Sequence, residues 1–220
     1  TGNSWQWQSA GKVVLKAGTI TLALKDLTGF NGRCDAIYLT TDMNAQPTAW
    51  GEAETAALRA RLQQQQTVPT HQYDFVVVGG GVAGMCAATA AARLGCRVAL
   101  VNDRPVLGGN NSSEIRVHLG GIIEKGPNEG LGRMIREFGH ERSGNAQPGD
   151  YYEDQKKEDF IAAEKNITLY ASQRAVAVKM QGDRIASVTI PHIETGEQTE
   201  LTAPRFSDCT GDATIGYLAG

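Results

Sequence analysis

"YDFVVVGGGVAGMCAATAAARLGCRVALV", residues 73–101, decides how this chain folds. "FVVV" is short, apolar and rich in β-branched residues, the pattern of a strand buried on both faces. The glycines after it make a tight turn. "VAGMCAATAAARL" is rich in alanine and free of proline, which favours helix, and Gly95 stands where that helix should end. "RVALV" is then a second buried strand. Strand, glycine turn, helix and strand within about thirty residues form one βαβ unit, and its two strands must lie parallel.

Each glycine of the pattern has a physical task. Gly79 allows the sharp turn out of the strand, Gly81 lets the backbone approach a pyrophosphate, and Gly84 lets the helix pack closely on the sheet. Val82 and Ala83 open the helix, where unpaired N–H groups and partial positive charge suit phosphate. This arrangement points to a dinucleotide. In such sites a carboxylate about 20 residues further on holds a ribose. Here "RVALVNDRP", residues 97–105, puts Asn102 at the end of the strand, and the acid, Asp103, comes one place later. Asn102 can donate to and accept from a ribose hydroxyl, without the stronger charged acceptor. Asp103 is the substitute, and Arg104 is placed for an adenine or a phosphate.

The turn and strands suit NAD and FAD alike, so the choice rests on the loop after the second strand. "RPVLGGNNSSEIRVHLGG", residues 104–121, is too long for a simple crossover and suits an extended cofactor tracked by Gly108, Gly109, Asn110 and short side chains. "NEGLGRMIREFGHERSGN" sets Leu131, Met134, Ile135 and Phe138 on one helical stripe. "YYEDQKKEDFIAAEKN" is a further helix with a solvated charged face and Asn166 as a left-handed cap. "ITLYAS" returns as a strand. "RAVAVKMQGDRIASVTI" is a hairpin turning at "QGDR", "EQTELTA" adds a third strand, and "FSDC" is a short parallel strand leading into "TGD".

The first 46 residues read differently. "KVVLKAGTITLALKDL" places two strand-like runs around a turn at Gly18, and "CDAIYLTTD" alternates apolar and polar residues. Three or four strands cannot close a sandwich alone. The expected organisation is a partial β-sandwich over 1–46, a linker helix over 47–71 and an α/β domain over 72–220. The first residue is Thr1 and the last motif is a glycine turn, so we expect a segment of a longer protein. Periplasmic or extracellular placement stays open, because a leader could precede Thr1.

Composition excludes several classes. The net charge of −3 offers no footprint for nucleic acid. No apolar run is long enough to span a bilayer. Cys34, Cys86, Cys96 and Cys209 form no CxxC pair, and no metal-binding spacing occurs; buried thiols are the expectation for three of them.

"VVVGGGVAGMCAA", "RPVLGGNNSSEIRV" and "DCTGDATIGYLAG" together resemble the FAD-dependent oxidoreductases of two-dinucleotide-binding-domain architecture, with the closest pattern in bacterial carbohydrate-associated proteins. The resemblance runs from about Tyr73 to Gly220. It implies a Rossmann-like FAD-binding domain with a parallel sheet and an inserted β-meander. It also implies extended FAD with its adenine end at the glycine turn. Gly79, Gly81 and Gly84 match the fingerprint, Gly108 and Gly109 match the family's double glycine, and Gly211 and Asp212 match its late "TGD", where the aspartate contacts the ribityl or pyrophosphate region. Backbone at Ala175 and Val176 should lie near the adenine. Residues 5–42, with Trp5 and Trp7, resemble the last strands of jelly-roll carbohydrate-binding-like modules.

A flavin carries the redox chemistry, so the protein orients, excludes water and sets electrostatics. Ser112 or Ser113 could bond the flavin N5 or the ribityl chain, and Glu114 with Arg116 could form an ion pair. Arg116 and His118 are the candidate catalytic groups, for charge on a small-molecule substrate or the reduced flavin. That substrate is of carbohydrate-derived type if the N-terminal resemblance guides it. Two other readings are a non-catalytic carbohydrate-binding protein with a vestigial nucleotide fold, and an NAD(P)-dependent Rossmann enzyme. The long Gly-Asn-Ser loop and the late "TGD" argue against the latter.

Overall fold

The computed structural model describes residues 7–25, 34, 37–42, 44, 57, 68–121, 124, 126–128, 130, 132–139, 141–142 and 144–220. The chain divides into two units, Thr1–Gln66 and Thr67–Gly220. In the first, the described residues form no ladder-paired strand. The side chains that a sandwich would bury, among them Val14 and Leu24, are exposed. Gly18 does sit in a bend with φ +139°, and Trp7 packs edge-on against Tyr38 with ring centres 6.2 Å apart. Trp5, most of the linker helix, and Leu131 of the helical stripe lie outside the described residues.

The second unit is built on two sheets. β1 (Thr70–Gln72) and β2 (Phe75–Val78) lead to α1 (Val82–Arg93), β3 (Val98–Asn102), α2 (Gly132–Phe138), α3 (Asp154–Ala162) and β4 (Ile167–Ala171). The meander comes next as β5 (Ala177–Gln181), β6 (Arg184–Pro191) and β7 (Gln198–Thr202), then β8 (Phe206–Asp208) and α4 (Thr214–Ala219). One sheet is wholly parallel in the order β4-β3-β2-β8, and the other runs β1-β7-β6-β5. The linker expectation ran through residue 71, but Thr70 and His71 already pair in parallel with Glu200 and Leu201.

Period-two alternation explains the layers. Val77, Val98 and Leu100 face the helices and pack with Met85, Ala88, Ala92, Phe138 and Phe160. Their neighbours Val76, Val78, Ala99 and Val101 face the meander and pack with Val188, Ile190 and Leu201. A strand buried on both faces has no polar side to show, which is why "FVVV" and "VALV" read as continuous apolar runs. Each large apolar side chain buried this way contributes about 1.5–3 kcal/mol. Arg93 staples the helical layer: it forks onto Glu137 at 2.6 and 2.9 Å and reaches Glu164 at 2.6 Å.

Two local expectations fail for physical reasons. Asn166 is not in the left-handed region; its amide donates to the Ala92 carbonyl at 3.1 Å and ties β4 to the end of α1. The charged helix is also not solvated all round, since Lys157 is fully buried. Left-handed geometry falls instead on Glu153, φ +46°, between a 3-10 turn (Gly149–Tyr152) and α3. Cys86, Cys96 and Cys209 are free and half-buried, packed against the core, while Cys34 is exposed.

Candidate functional site

The βαβ unit delivers three backbone segments to one place. Gly79, φ +108°, ends β2, and a Cβ there would strike the carbonyl of Cys209. A Cβ on Gly84 would strike the Gly79 carbonyl oxygen. These two glycines close the turn onto its neighbours. Gly81 differs: its backbone is ordinary extended chain, φ −70° and ψ 179°, and a Cβ would find only the Gly109 Cα at 3.9 Å. Gly108 N–H donates to the Gly80 carbonyl at 2.9 Å, which draws the 108–109 loop alongside.

Around this turn lies a cleft of about 620 Å³ lined by residues 78–83, 101–104, 108–111, 117–119, 173–175, 209–212 and 214. Hydrogen bonds fix its layout. Gln173 N–H donates to the Asn102 carbonyl at 3.0 Å, so 173–175 and 102–104 share one end. Val117 N–H donates to the Asn110 carbonyl at 3.0 Å, which places 110–111 and 117–119 together. Cys209 N–H donates to the Val78 carbonyl at 2.7 Å and brings "TGD" to the glycine turn.

The two helix N-termini at the cleft differ. No side chain caps α1, so its first N–H groups are open to a ligand. At α4, Asp208 accepts from Ile215 N–H at 2.7 Å and Gly216 N–H at 3.0 Å, and Thr210 Oγ1 accepts from Thr214 N–H at 2.9 Å. Only α1 is therefore left to bind an anion. Burial pushes the Asp208 pKa up, but the donors from Thr210, Ile215 and Gly216 outweigh it and hold the carboxyl below its ordinary 3.8. A depressed folded value gives stability that is full above about pH 4 and is lost as pH falls through it. Asp208→Asn is expected to flatten the acid limb of a melting-temperature profile below pH 4; an unchanged limb would show that this carboxylate does not set it.

Among predicted site residues, the cleft brings together Gly79, Gly81, Val82, Ala83, Asn102, Asp103, Arg104, Gly108, Gly109, Asn110, Gly211, Asp212 and His118. Gly84 is buried behind the turn. Four others are placed elsewhere. Ser112 is buried and its hydroxyl donates to the Gly109 carbonyl at 2.7 Å, so it braces the loop. Ser113 presents its N–H to the Asp154 carboxylate at 3.1 Å. Arg116, φ +64°, folds its Nε onto the Ser113 carbonyl at 2.9 Å and does not line the cleft. Val176 donates to the Thr189 carbonyl in the meander, and its neighbour Ala175 faces the cleft instead. Glu114 pairs with Arg104 at 3.1 Å rather than with Arg116.

Lys157 lies beneath the double-glycine loop. A Cβ on Gly108 would sit 2.8 Å from its Cδ, and its ammonium donates to the Tyr152 carbonyl with Asp154 3.7 Å away. Burial pulls this ammonium below its ordinary value despite Asp154. Lys157→Met keeps the stem and removes the buried charge, so urea unfolding should place it within about 1.5 kcal/mol of the parent. Lys157→Ala leaves a cavity under Gly108 and should cost about 2–5 kcal/mol. Equal costs for both would mean that the charge matters more than the packing.

Residues 74–220 match the model of the FAD dependent oxidoreductase family. The chain belongs to that family. Its cofactor is FAD. A stretch of 68 residues, 31% of the chain, is 42% identical to 13% of the soluble pyridine nucleotide transhydrogenase of Ectopseudomonas mendocina (strain ymp). Another of 74 residues, 34% of the chain, is 39% identical to 12% of glycerol-3-phosphate dehydrogenase 2 of Mycobacterium tuberculosis (strain ATCC 25618 / H37Rv). The L-proline dehydrogenase of P. horikoshii aligns at a TM-score of 0.42 and 21% identity, over 67% of this chain and 24% of that one. The matched stretches thus span about an eighth of the curated relatives' length.

The cleft's own chemistry fits the family's cofactor. Open N–H groups at α1 and the close approach of Gly81 and Gly109 suit a pyrophosphate. Two buried amide oxygens of residues that line it, Asn111 Oδ1 and Gln173 Oε1, have no hydrogen-bond partner among the described residues. Buried polar atoms are rarely left so unless a ligand or water completes them. Asn111 and Gln173 were missed in the sequence; the only signal was their place beside "LGGN" and after the strand "ITLYA".

Proposed function

We propose that this chain is the cofactor-binding part of a flavoprotein that oxidises a small organic substrate. The observation that carries the reading is the uncapped α1 N-terminus facing a cleft whose wall holds two unpartnered amide oxygens. Gly79–Ala83 with Gly108 and Gly109 would hold the pyrophosphate. Asn102, Asp103, Arg104 and the backbone at 173–175 would hold the adenosine end. Asn110, Asn111, 117–119, Gly211 and Asp212 would line the ribityl and flavin end. When bound, FAD supplies two-electron redox chemistry. The chain's part is to bind, orient and exclude water, with Asn111 and Gln173 each gaining a donor partner.

Purifying the full-length protein, denaturing it and identifying the released chromophore tests this. FAD at about one per chain is expected. A folded protein without a flavin spectrum that takes up no added FAD would overturn the reading. The finer proposal of a carbohydrate-derived substrate is supported by the N-terminal resemblance alone. Flavin bleaching by a panel of sugars and polyols, compared with amines and amino acids, tests it, and bleaching confined to the latter would sink it.

A further inference from the structure

His118 and Asn145 are far apart in sequence, yet one atom joins them twice. Asn145 Oδ1 lies 3.0 Å from the backbone nitrogen of His118 and 2.8 Å from its ring Nδ1. The first contact identifies the atom. A backbone N–H only donates, so the amide end facing it is the oxygen. An amide oxygen only accepts, so Nδ1 must carry a hydrogen in the second contact. In a neutral imidazole the other nitrogen is then a bare acceptor.

The surroundings hold this arrangement. The Tyr152 hydroxyl lies 2.7 Å from the Arg116 carbonyl and 2.9 Å from that of Gly144, and Ala146 N–H donates to the Arg116 carbonyl at 2.9 Å. Segment 144–147 is therefore strapped to segment 116–118 from both sides of Asn145. Nε2 has no protein hydrogen-bond partner among the described residues. A Cβ on Gly120 would stand 3.2 Å from it, so glycine leaves that edge open. His118 lines the cleft, between Val117 and Leu119.

We propose that Asn145 is a positioning residue that holds His118 in its Nδ1–H tautomer, so that Nε2 accepts a hydrogen bond from a ligand hydroxyl or amine at this wall. That the ligand is a substrate rests on the reading under Proposed function. A carboxylate or a ketone oxygen brings no hydrogen and is disfavoured beside a bare Nε2. The opposite tautomer would make this wall a donor and reverse the ligand class.

The test is nitrogen NMR of the full chain labelled with 15N-histidine, at about pH 8.5, roughly two units above the ordinary imidazole value. Loss of signals in His118→Gln assigns the ring. The parent should show a hydrogen-bearing Nδ1 and a bare Nε2. Asn145→Asp keeps an acceptor oxygen and should keep that pattern, whereas Asn145→Ala should lose it. If Asn145→Ala does not fold, Asn145→Gln shifts the carbonyl by one methylene and should lose it too. A parent with Nε2–H, or an Asn145→Ala or Asn145→Gln variant that keeps the parent pattern, overturns the proposal. Flavin absorbance of the full-length protein separates the two readings: no flavin with the tautomer fixed sinks the proposed function and leaves the role of Asn145 standing.

Discussion

Gly84→Ala is expected to abolish folding of the Thr67–Gly220 unit, while Gly81→Ala leaves it folded and loses cofactor affinity. Alanine gains about 1 kcal/mol over glycine within a helix. At position 84 that gain is overwhelmed, because the new methyl would overlap the carbonyl oxygen of Gly79, a backbone atom that cannot swing aside. Overpacking against side chains costs about 1–3 kcal/mol, and occasionally more, where they can shift. Here either β2 or α1 must move, and β2 is bonded on both edges, to β3 and β8. Gly81 meets no such obstacle: its φ is ordinary and the nearest atom to an added Cβ is 3.9 Å away. The methyl would stand where a pyrophosphate is proposed to approach. A loss of about tenfold or more in FAD affinity, about 1.4 kcal/mol, is expected with a melting temperature near the parent's. Circular dichroism melts paired with FAD titration separate the outcomes. A folded Gly84→Ala, or a Gly81→Ala with parent affinity, would refute the division of labour.

That division was partly legible in the sequence. The strands and their parallel pairing could be read because "FVVV" and "VALV" must bury both faces, and only a crossover helix joins parallel neighbours in so few residues. The meander was legible from its turns, and the glycines from their spacing. What stayed hidden was the choice of partners for polar side chains in 104–118. Ser112, Arg116 and Glu114 each had several acceptors or ions within reach, and nothing in the sequence says that Ser112 braces Gly109 or that Glu114 takes Arg104. Lys157 was hidden by its setting, since a lysine in "EDQKKED" looks solvated until Gly108 is seen to lie on its stem. Asn145 was hidden by distance along the chain: the strap that brings it to His118 is made by Tyr152 and two backbone carbonyls, which leave no pattern.

Asn102→Asp should destabilise the protein and weaken FAD binding, although it restores the acid usual at this place. Asn102 is buried at the end of β3, and its amide nitrogen donates to the carbonyls of Arg104 at 2.9 Å and Val106 at 2.8 Å. These bonds shape the turn that carries Asp103 and Arg104 along the cleft. A carboxylate has no hydrogen to give, so it would face two carbonyl oxygens with like partial charge. Losing two hydrogen bonds and leaving both acceptors unmet costs about 2–4 kcal/mol. The side chain also lies against Gly80, where an added Cβ would be 2.6 Å from Asn102 Oδ1, so it has no free rotation by which to escape. Asparagine is thus the residue this turn requires, because its nitrogen builds the loop; the proposed ribose contact falls to its oxygen. Asn102→Ala should lose both functions, and Asp103→Ala, at an exposed position, should lose far less of either. Urea unfolding and FAD titration of the three variants give the comparison. Tighter FAD binding by Asn102→Asp, or a larger loss from Asp103→Ala, would mean that the acid and not the amide meets the ribose.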